Sequence, residues 1–339
     1  MRSARCVRTV TDATPQVAAT QGAALSLIVP VYLNESNIPA LIAAIGELDA
    51  ALGGRLEAVF VIDGSPDRSG ELLAIARPDM PFKAKIAFHS RNFGSFTAIR
   101  TGLELASGGH FAVMAADLQE PPELILRFFE ILESGEADVT FGQRVSRSDA
   151  PVRDMLSRGF WWLYRTMVIR DVPQGGVDIF ACNRQARDEL LSIEEPNSSL
   201  IAQLFWIGFR RAFVPYDRRA RQSGSSAWKL SRRVRYMMDS IFSFTDLPIL
   251  LVLWIGVLGC LGSLLFGLGV VIARLVGLIN APGYATVVVL ITFFGSATLA
   301  VQGIIGSYLW RTFENTKRRP LRIVSRVIGG DLPGVKDPK

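Results

Sequence analysis

The sequence is poor in the residues that form disulfides and structural metal sites. Its 339 residues include three cysteines and two histidines. Cys6, Cys182 and Cys260 have neither the spacing of a zinc site nor the even number of a disulfide framework, which indicates a reducing compartment such as the cytoplasm. Residues 1–22 are polar and lack the apolar core of a secretory signal, so we expect a flexible tail there.

Two common nucleotide-binding motifs are also missing. No G-x-G-x-x-G follows the first apolar run, which argues against a dinucleotide dehydrogenase. No G-x-x-x-x-G-K-[ST] loop is found in the sequence, which argues against a P-loop NTPase. A nucleotide, if one binds, must therefore be held by another kind of loop.

Charge is absent from two long segments in the C-terminal part of the chain. Residues 248–273 contain no charged residue, and neither do residues 284–310. Each segment exceeds the ~20 apolar residues that cross a bilayer, so the sequence predicts a two-helix transmembrane hairpin. Gly259, Ser263 and Gly267 recur at every fourth position, which allows close helix contact and permits a homo-oligomer.

Basic residues cluster beside these segments. The net charge is +6, and residues 210–235 contain nine Lys or Arg and one acid. Positive-inside bias predicts a multi-pass membrane protein with both termini and the large N-terminal part in the cytoplasm. Nucleic acid is the alternative partner for such charge, but its position favours membrane lipid. We therefore expect no nucleic-acid partner, a juxtamembrane amphipathic segment at 231–247 and a cytoplasmic tail at 311–339.

Residues 23–230 alternate short apolar runs with helical patterns. This alternation predicts βαβ units around a mostly parallel sheet. The expected strands are residues 25–31, 57–63, 85–89, 111–116 and 138–142. Polar residues follow several strand ends, and parallel strands bring such ends to one edge of the sheet. The sequence therefore predicts one binding crevice at that edge.

The most informative strand end is at Asp117. The apolar run Phe111 to Ala116 indicates a strand buried on both faces, and Asp117 follows at its carboxyl end. Gln119 adds an amide oxygen on the same side of the chain, and such oxygens suit a hard divalent cation. In the alternative interpretation, Asp117 only caps the helix that follows.

Five segments occur in a fixed order along the chain: Val29-Pro-Val-Tyr32, Glu35-Ser-Asn-Ile38, Val61-Ile-Asp-Gly-Ser-Pro-Asp67, Ser90-Arg-Asn-Phe-Gly94 and Asp117-Leu-Gln-Glu-Pro-Pro122. With the two apolar segments that follow, this ordered set resembles the family 2 (GT-A fold) glycosyltransferases of the polyprenyl-phosphate type, and the resemblance covers roughly residues 25–315. That group includes dolichol-phosphate mannose synthases and bacterial undecaprenyl-phosphate glucosyltransferases, which implies the bacterial cytoplasmic (inner) membrane as the location.

The resemblance implies a GT-A, Rossmann-like domain that moves one sugar, with inversion, from a nucleotide-diphosphate sugar to polyprenyl phosphate at the cytoplasmic membrane face. It implies Mg²⁺ or Mn²⁺ held by Asp117 and Gln119, and it makes Asp117 and Arg144 the catalytic residues. The implied nucleotide-binding residues are Pro30, Tyr32, Glu35, Asp63 and Arg91. Residues 145–170 would form an interfacial helix region. The implied acceptor-phosphate residues are Arg144, Arg153, Ser157, Arg221 and Ser226.

The chain departs from the family pattern where that pattern has acids. Ile62 replaces the first of two acids, and Ala115 replaces the first acid of Asp-x-Asp. Mg²⁺ tolerates fewer protein ligands because it keeps waters and binds substrate phosphates, so we expect weaker metal binding. A non-catalytic nucleotide-binding membrane scaffold therefore remains an alternative. A processive polysaccharide synthase is less favoured, since the chain lacks a Gln-x-x-Arg-Trp segment and a multi-span channel.

Overall fold

The computed structural model describes residues 25–144, 177–195, 198–217, 284–317 and 319–331, with five isolated positions between 254 and 276. Within these residues the chain forms one eight-stranded sheet, in the order β7-β5-β6-β4-β1-β2-β3-β8. The strands are β1 (Leu25–Val31), β2 (Leu56–Ile62), β3 (Lys83–His89), β4 (His110–Val113), β5 (Val139–Arg144), β6 (Val177–Asn183), β7 (Arg211–Tyr216) and β8 (Val324–Ile328).

The four central strands β4, β1, β2 and β3 are all parallel. β1 and β2 are buried along nearly their whole length, as expected of strands covered on both faces. β6 is antiparallel to both β4 and β5, so β5 runs in the same direction as β4. β7 is parallel to β5, and β8 is antiparallel to β3. The prediction of a mostly parallel α/β sheet is confirmed.

Helices cover both faces of the sheet. α1 (Ile38–Ala51), α2 (Ser69–Ala76) and α4 (Pro122–Glu133) pack on one face. α3 (Ser95–Leu105), α5 (Arg184–Ser192) and α6 (Leu200–Trp206) pack on the other. Side chains of a strand point alternately to the two faces, and β1 follows this rule because Leu27 and Val29 enter the first core while Ile28 enters the second.

A buried carboxylate joins the amino ends of the central strands. The Glu57 carboxylate of β2 accepts hydrogen bonds from Ser26 Oγ (2.9 Å) and Ser107 N (2.8 Å) and pairs with Lys85 Nζ at 2.6 Å. Burial raises the pKa of Glu57, but the bonds from Lys85 and Ser107 outweigh burial and hold that pKa below its ordinary value. This network fixes the edge of the sheet opposite the predicted crevice.

Within the described ranges the longest helix is α7 (Tyr284–Thr316), with 33 residues. It includes the second predicted span, whereas the first span, residues 248–273, lies outside the described residues except at isolated positions. Throughout the described ranges, no helix is both long enough and apolar enough to cross a membrane. The predicted multi-pass localisation is therefore wrong for this part of the chain, and the hairpin is unconfirmed.

Of the other predicted segments, three lie outside the described residues and one contains a strand. Residues 1–22, 145–170 and 231–247 lie outside the described residues. The predicted tail at 311–339 contains the last turns of α7 and the strand β8. The C-terminal part of the chain therefore returns to the sheet and completes its β3 edge.

Candidate active site

Four loops leave the carboxyl ends of the central strands at the same edge of the sheet. The first loop (residues 32–37) follows β1 and the second loop (residues 63–68) follows β2. The third loop (residues 90–94) follows β3, and the fourth loop (residues 114–121) follows β4. Because these strands are parallel neighbours, the loops lie side by side at this edge of the sheet, which is where α/β sheets bind ligands.

Asp67 ties the first loop to the second. Its carboxylate accepts hydrogen bonds from Ser65 Oγ (2.6 Å), Ser69 Oγ (2.7 Å) and the backbone N–H of Glu35 (3.0 Å). Ser65 Oγ in turn accepts from Leu33 N at 2.8 Å. Partial burial raises the pKa of Asp67, but the bonds from the two serines and from the Glu35 amide outweigh it and hold that pKa below its ordinary value. The first loop is therefore fixed by a carboxylate from the second.

The predicted nucleotide-binding residues of the first strand and loop lie at this edge. Pro30 is in β1 and partly exposed, while Tyr32 and Glu35 are half-buried in the first loop. The Glu35 carboxylate accepts a hydrogen bond from Arg68 N at 3.1 Å, so it also contributes to the junction with the second loop.

Asp63 anchors the third loop. The residue is 2% exposed, and its two carboxylate oxygens accept hydrogen bonds from the backbone N–H groups of Phe93 and Gly94, each at 2.8 Å. His89 Nδ1 lies 2.8 Å from the oxygen that accepts from Phe93, and His89 Nε2 lies 2.9 Å from Thr101 Oγ1. Asp63 thus links β2, the end of β3, the third loop and α3. The carboxylate of Asp63 thus accepts hydrogen bonds from groups of the protein, and its predicted contact with a nucleotide stays a prediction.

Gly64 brings the second loop directly against the third. Its φ is +59°, a left-handed conformation that glycine adopts without a steric penalty. A Cβ at this position would lie 2.3 Å from the carbonyl carbon of Arg91 and 2.4 Å from Asn92 N. The exposed guanidinium of Arg91 lies over the Phe93 ring at 4.1 Å. The third loop therefore presents Arg91 from a backbone that is held on one side by Asp63 and Gly64.

The fourth loop carries the predicted metal ligands. Asp117 and Gln119 are half-buried, and Gln119 N lies 3.4 Å from Asp117 Oδ1. Leu118 between them has φ +54°, and Leu33 of the first loop has φ +56°. Of the described residues other than glycine, these two alone have positive φ. Such strain often persists at functional sites, and here it marks the loops after two neighbouring strands.

The side-chain oxygens of the fourth loop suit a hard cation that would also bind the phosphates of a substrate. Asp117 and Gln119 offer one carboxylate and one amide, which are oxygen ligands of the kind that Mg²⁺ and Mn²⁺ take. No group of three or more His, Cys, Asp or Glu that could hold a metal is found in the part of the chain that the structure describes. A metal at this point would therefore depend on phosphate oxygens and water for most of its ligands.

Arg144 reaches the same edge from another strand. It is the last residue of β5, which runs parallel to β4 on the far side of β6, and it is partly buried. Asp117 and Arg144 therefore follow or end strands that point in the same direction. The other predicted acceptor-phosphate residues, Arg153, Ser157, Arg221 and Ser226, lie outside the described residues.

The sequence patterns assign no functional role to Asp67 or to His89. Asp67 lies two residues before Ser69, where α2 begins, and an Asp at this spacing often accepts a hydrogen bond from the backbone two residues later. This local pattern could have predicted a structural role for Asp67. The pairing of His89 with Asp63 joins residues 26 positions apart, and no local pattern predicts it.

Comparison with known proteins identifies the class. The family described as Glycosyl transferase family 2 matches residues 26–192. An uncharacterized glycosyltransferase of Synechocystis sp. is 31% identical over 306 residues, which are 90% of this chain and 96% of the relative. The prophage-derived bactoprenol glucosyl transferase of Shigella flexneri is 28% identical over 303 residues, which are 89% of this chain and 97% of that protein.

Among solved structures, glucosyl-3-phosphoglycerate synthase of Mycobacterium tuberculosis with Mn²⁺ and UDP-glucose is 20% identical. The alignment covers 64% of this chain and 76% of that one, with a TM-score of 0.46. The family match and the mostly parallel α/β sheet described above support a GT-A-like fold. The chain belongs to glycosyltransferase family 2 and is a glycosyltransferase.

Proposed function

We propose that the protein transfers a single sugar from a nucleotide-diphosphate sugar to polyprenyl phosphate, with inversion at the anomeric carbon. The observation that supports this most directly is the convergence of the four loops and the end of β5 at one edge of the sheet. The name of the Shigella flexneri relative, bactoprenol glucosyl transferase, supports the choice of acceptor, because that alignment covers 97% of the relative.

The donor would lie along the first three loops. In this proposal Pro30, Tyr32 and Glu35 contact the base and ribose, and Arg91 contacts the diphosphate. Asp63 acts beneath them, since it holds the third loop through the Phe93 and Gly94 amides. Fixed loops of this kind reduce the ordering that substrate binding would otherwise have to supply.

The diphosphate would point toward the fourth loop. Asp117 and Gln119 would hold Mg²⁺ or Mn²⁺ there, and the ion would neutralise charge that develops on the departing nucleoside diphosphate. Arg144, at the same edge, would bind the acceptor phosphate through charge-assisted hydrogen bonds. The remaining acceptor contacts, Arg153, Ser157, Arg221 and Ser226, stay a prediction of the family resemblance.

The reaction needs positioning more than proton transfer. An oxygen of the acceptor phosphate attacks the anomeric carbon, and the bond from that carbon to the diphosphate oxygen breaks with both electrons leaving on the nucleoside diphosphate. A phosphate monoester is already anionic at neutral pH, so no strong general base is required. Fixing the two reactants in line is therefore the main contribution of the protein.

The purified full chain should transfer label from one member of a panel of radiolabelled nucleotide sugars to undecaprenyl phosphate in the presence of MgCl₂ or MnCl₂. Asp117→Asn should lower kcat by at least about 100-fold, because the amide removes the anionic ligand. Asp79→Asn is the matched control, since Asp79 is an exposed carboxylate on a short 3-10 helix away from the four loops. The anomer of the product, determined by NMR, should be opposite to that of the donor.

Transfer by the wild type and its loss in Asp117→Asn distinguish the enzyme from the scaffold alternative. A scaffold would bind nucleotide but transfer no sugar from any donor in the panel. Equal turnover by Asp117→Asn and Asp79→Asn would contradict the role given to Asp117. Retention of the donor's anomeric configuration would contradict the single-displacement mechanism.

A further inference from the structure

The segment of residues 322–328, here called the C-terminal brace, contacts the third loop from the side opposite Asp63. The brace follows α7 and lies outside the part of the chain that the family matches, residues 26–192. It includes β8, which pairs antiparallel with β3 and shifts register between Phe88 and His89, immediately before the third loop.

The brace contacts β3, the strand that leads into the third loop. Ser325 Oγ donates a hydrogen bond to the carbonyl oxygen of Phe88 at 3.0 Å. The Arg326 guanidinium lies 4.2 Å above the Phe88 ring. Val324 and Val327 add apolar contact with the core on the α3 side of the sheet.

The pairing then continues past the end of β3. Ser90, the first residue of the third loop, donates its backbone N–H to the carbonyl oxygen of Ile323 at 3.0 Å. Arg322 forms an ion pair with Glu104 of α3, the helix that begins directly after the loop at Ser95. Burial and the nearby Arg100 both lower the pKa of Arg322. The brace thus holds the strand before the loop, the loop's first amide and the helix after it.

We propose that the C-terminal brace positions the third loop for the donor, so that Arg91 is held from two sides. Asp63 and Gly64 hold the inner side, and the brace holds the entry to the loop and the following helix. The brace is a positioning element, because its residues act through the loop and not on the substrate. This inference rests on the proposed function, in which the third loop contacts the diphosphate.

The test compares the double variant Arg322→Gln/Ser325→Ala with the wild type. It removes the ion pair to α3 and the hydroxyl bond to Phe88 while leaving β8 otherwise intact. The matched control is Arg127→Gln/Ser192→Ala, which removes an ion pair to Glu130 and a hydroxyl bond to the Glu189 carbonyl elsewhere on the surface.

Two measurements separate positioning from general stability. Hydrogen–deuterium exchange of peptides that cover residues 90–94 should become about tenfold faster in the brace variant, while peptides from β2 stay unchanged. In steady-state assays the donor KM should rise about five- to tenfold with the acceptor KM unchanged. The control variant should match the wild type in both measurements.

Unchanged exchange in the third loop would overturn the inference, and so would faster exchange with an unchanged donor KM. Equal loss of protection in β2 and in the loop would also overturn it, because that result indicates global destabilisation. If the wild type transfers no sugar from any donor, the proposed function fails, whereas the exchange comparison still decides whether the brace holds the loop.

Discussion

Replacing Gly64 with alanine tests the contact that positions the third loop. The new Cβ would lie 2.3 Å from the carbonyl carbon of Arg91, whereas ordinary van der Waals contact begins at 3.4 Å. The Arg91 backbone must therefore retreat by about 1 Å, or the second loop must move by as much. A displacement of ~1 Å in a substrate-positioning group can lower turnover by ~100-fold, so we expect kcat/KM for the donor to fall by about that factor.

Gly54→Ala is the matched control for this variant. Gly54 also has a positive φ, +74°, but an added Cβ would have no neighbour within 4 Å. Both substitutions share the cost of placing alanine in the left-handed region, about 1–2 kcal/mol. Only Gly64→Ala adds overlap with backbone, which should cost a further ~1–3 kcal/mol in unfolding free energy.

The assays are steady-state kinetics with varied donor and urea unfolding of both variants. Gly54→Ala should keep the kcat/KM of the wild type while losing some stability. If Gly64→Ala matches Gly54→Ala in kcat/KM, the close approach of the second and third loops has no part in donor binding. The same result would contradict the dependence of Arg91 on the support of its backbone by Gly64.

Three further changes give distinct readouts. Asp67→Asn should raise the donor KM about tenfold and leave the acceptor KM unchanged, because an amide has one acceptor oxygen where the Asp67 carboxylate uses two. An unaltered donor KM would contradict the role of Asp67. Glu57→Gln should lower the unfolding free energy by about 3 kcal/mol at neutral pH. The folded pKa of Glu57 lies below its ordinary 4.5, so the extra unfolding free energy of the wild type is complete above pH 4.5 and is lost as pH falls through the folded pKa. A difference in unfolding free energy between the two proteins that stays constant with pH in urea unfolding would refute this. EDTA should abolish sugar transfer and added Mg²⁺ or Mn²⁺ should restore it, whereas full activity in EDTA would show that the fourth loop needs no metal.

The central strands were predictable because strands buried on both faces are runs of apolar residues, which are visible in the sequence. The run Leu25–Val31 is apolar except for Ser26, and the structure makes it a strand with the same bounds as predicted. The strand before Asp117 ends earlier than predicted, at Val113 instead of Ala116. The antiparallel neighbour β6 pairs only with residues 110–112, so the chain leaves the ladder soon after and turns toward the fourth loop.

The partners of the site residues were not predictable in the same way. Position at a strand end indicated that Asp63 lies at the crevice, but not that its carboxylate serves the amides of the third loop. Such bonds depend on how two loops approach in space, which a periodic pattern does not encode. The strand β8 escaped prediction for a related reason, because its Val-Ser-Arg-Val-Ile sequence is short, half-exposed and carries an arginine.

The pairing of β8 with β3 also has a consequence for the order of folding. The bond between Ser325 and Phe88 joins residues 237 positions apart. At about 5–20 residues per second, a ribosome needs roughly 10–50 s to synthesise that interval. During that time the outer edge of β3 has open backbone groups and is exposed to pairing with other chains. The outer edge of β3 is therefore open to such pairing until β8 has been synthesised.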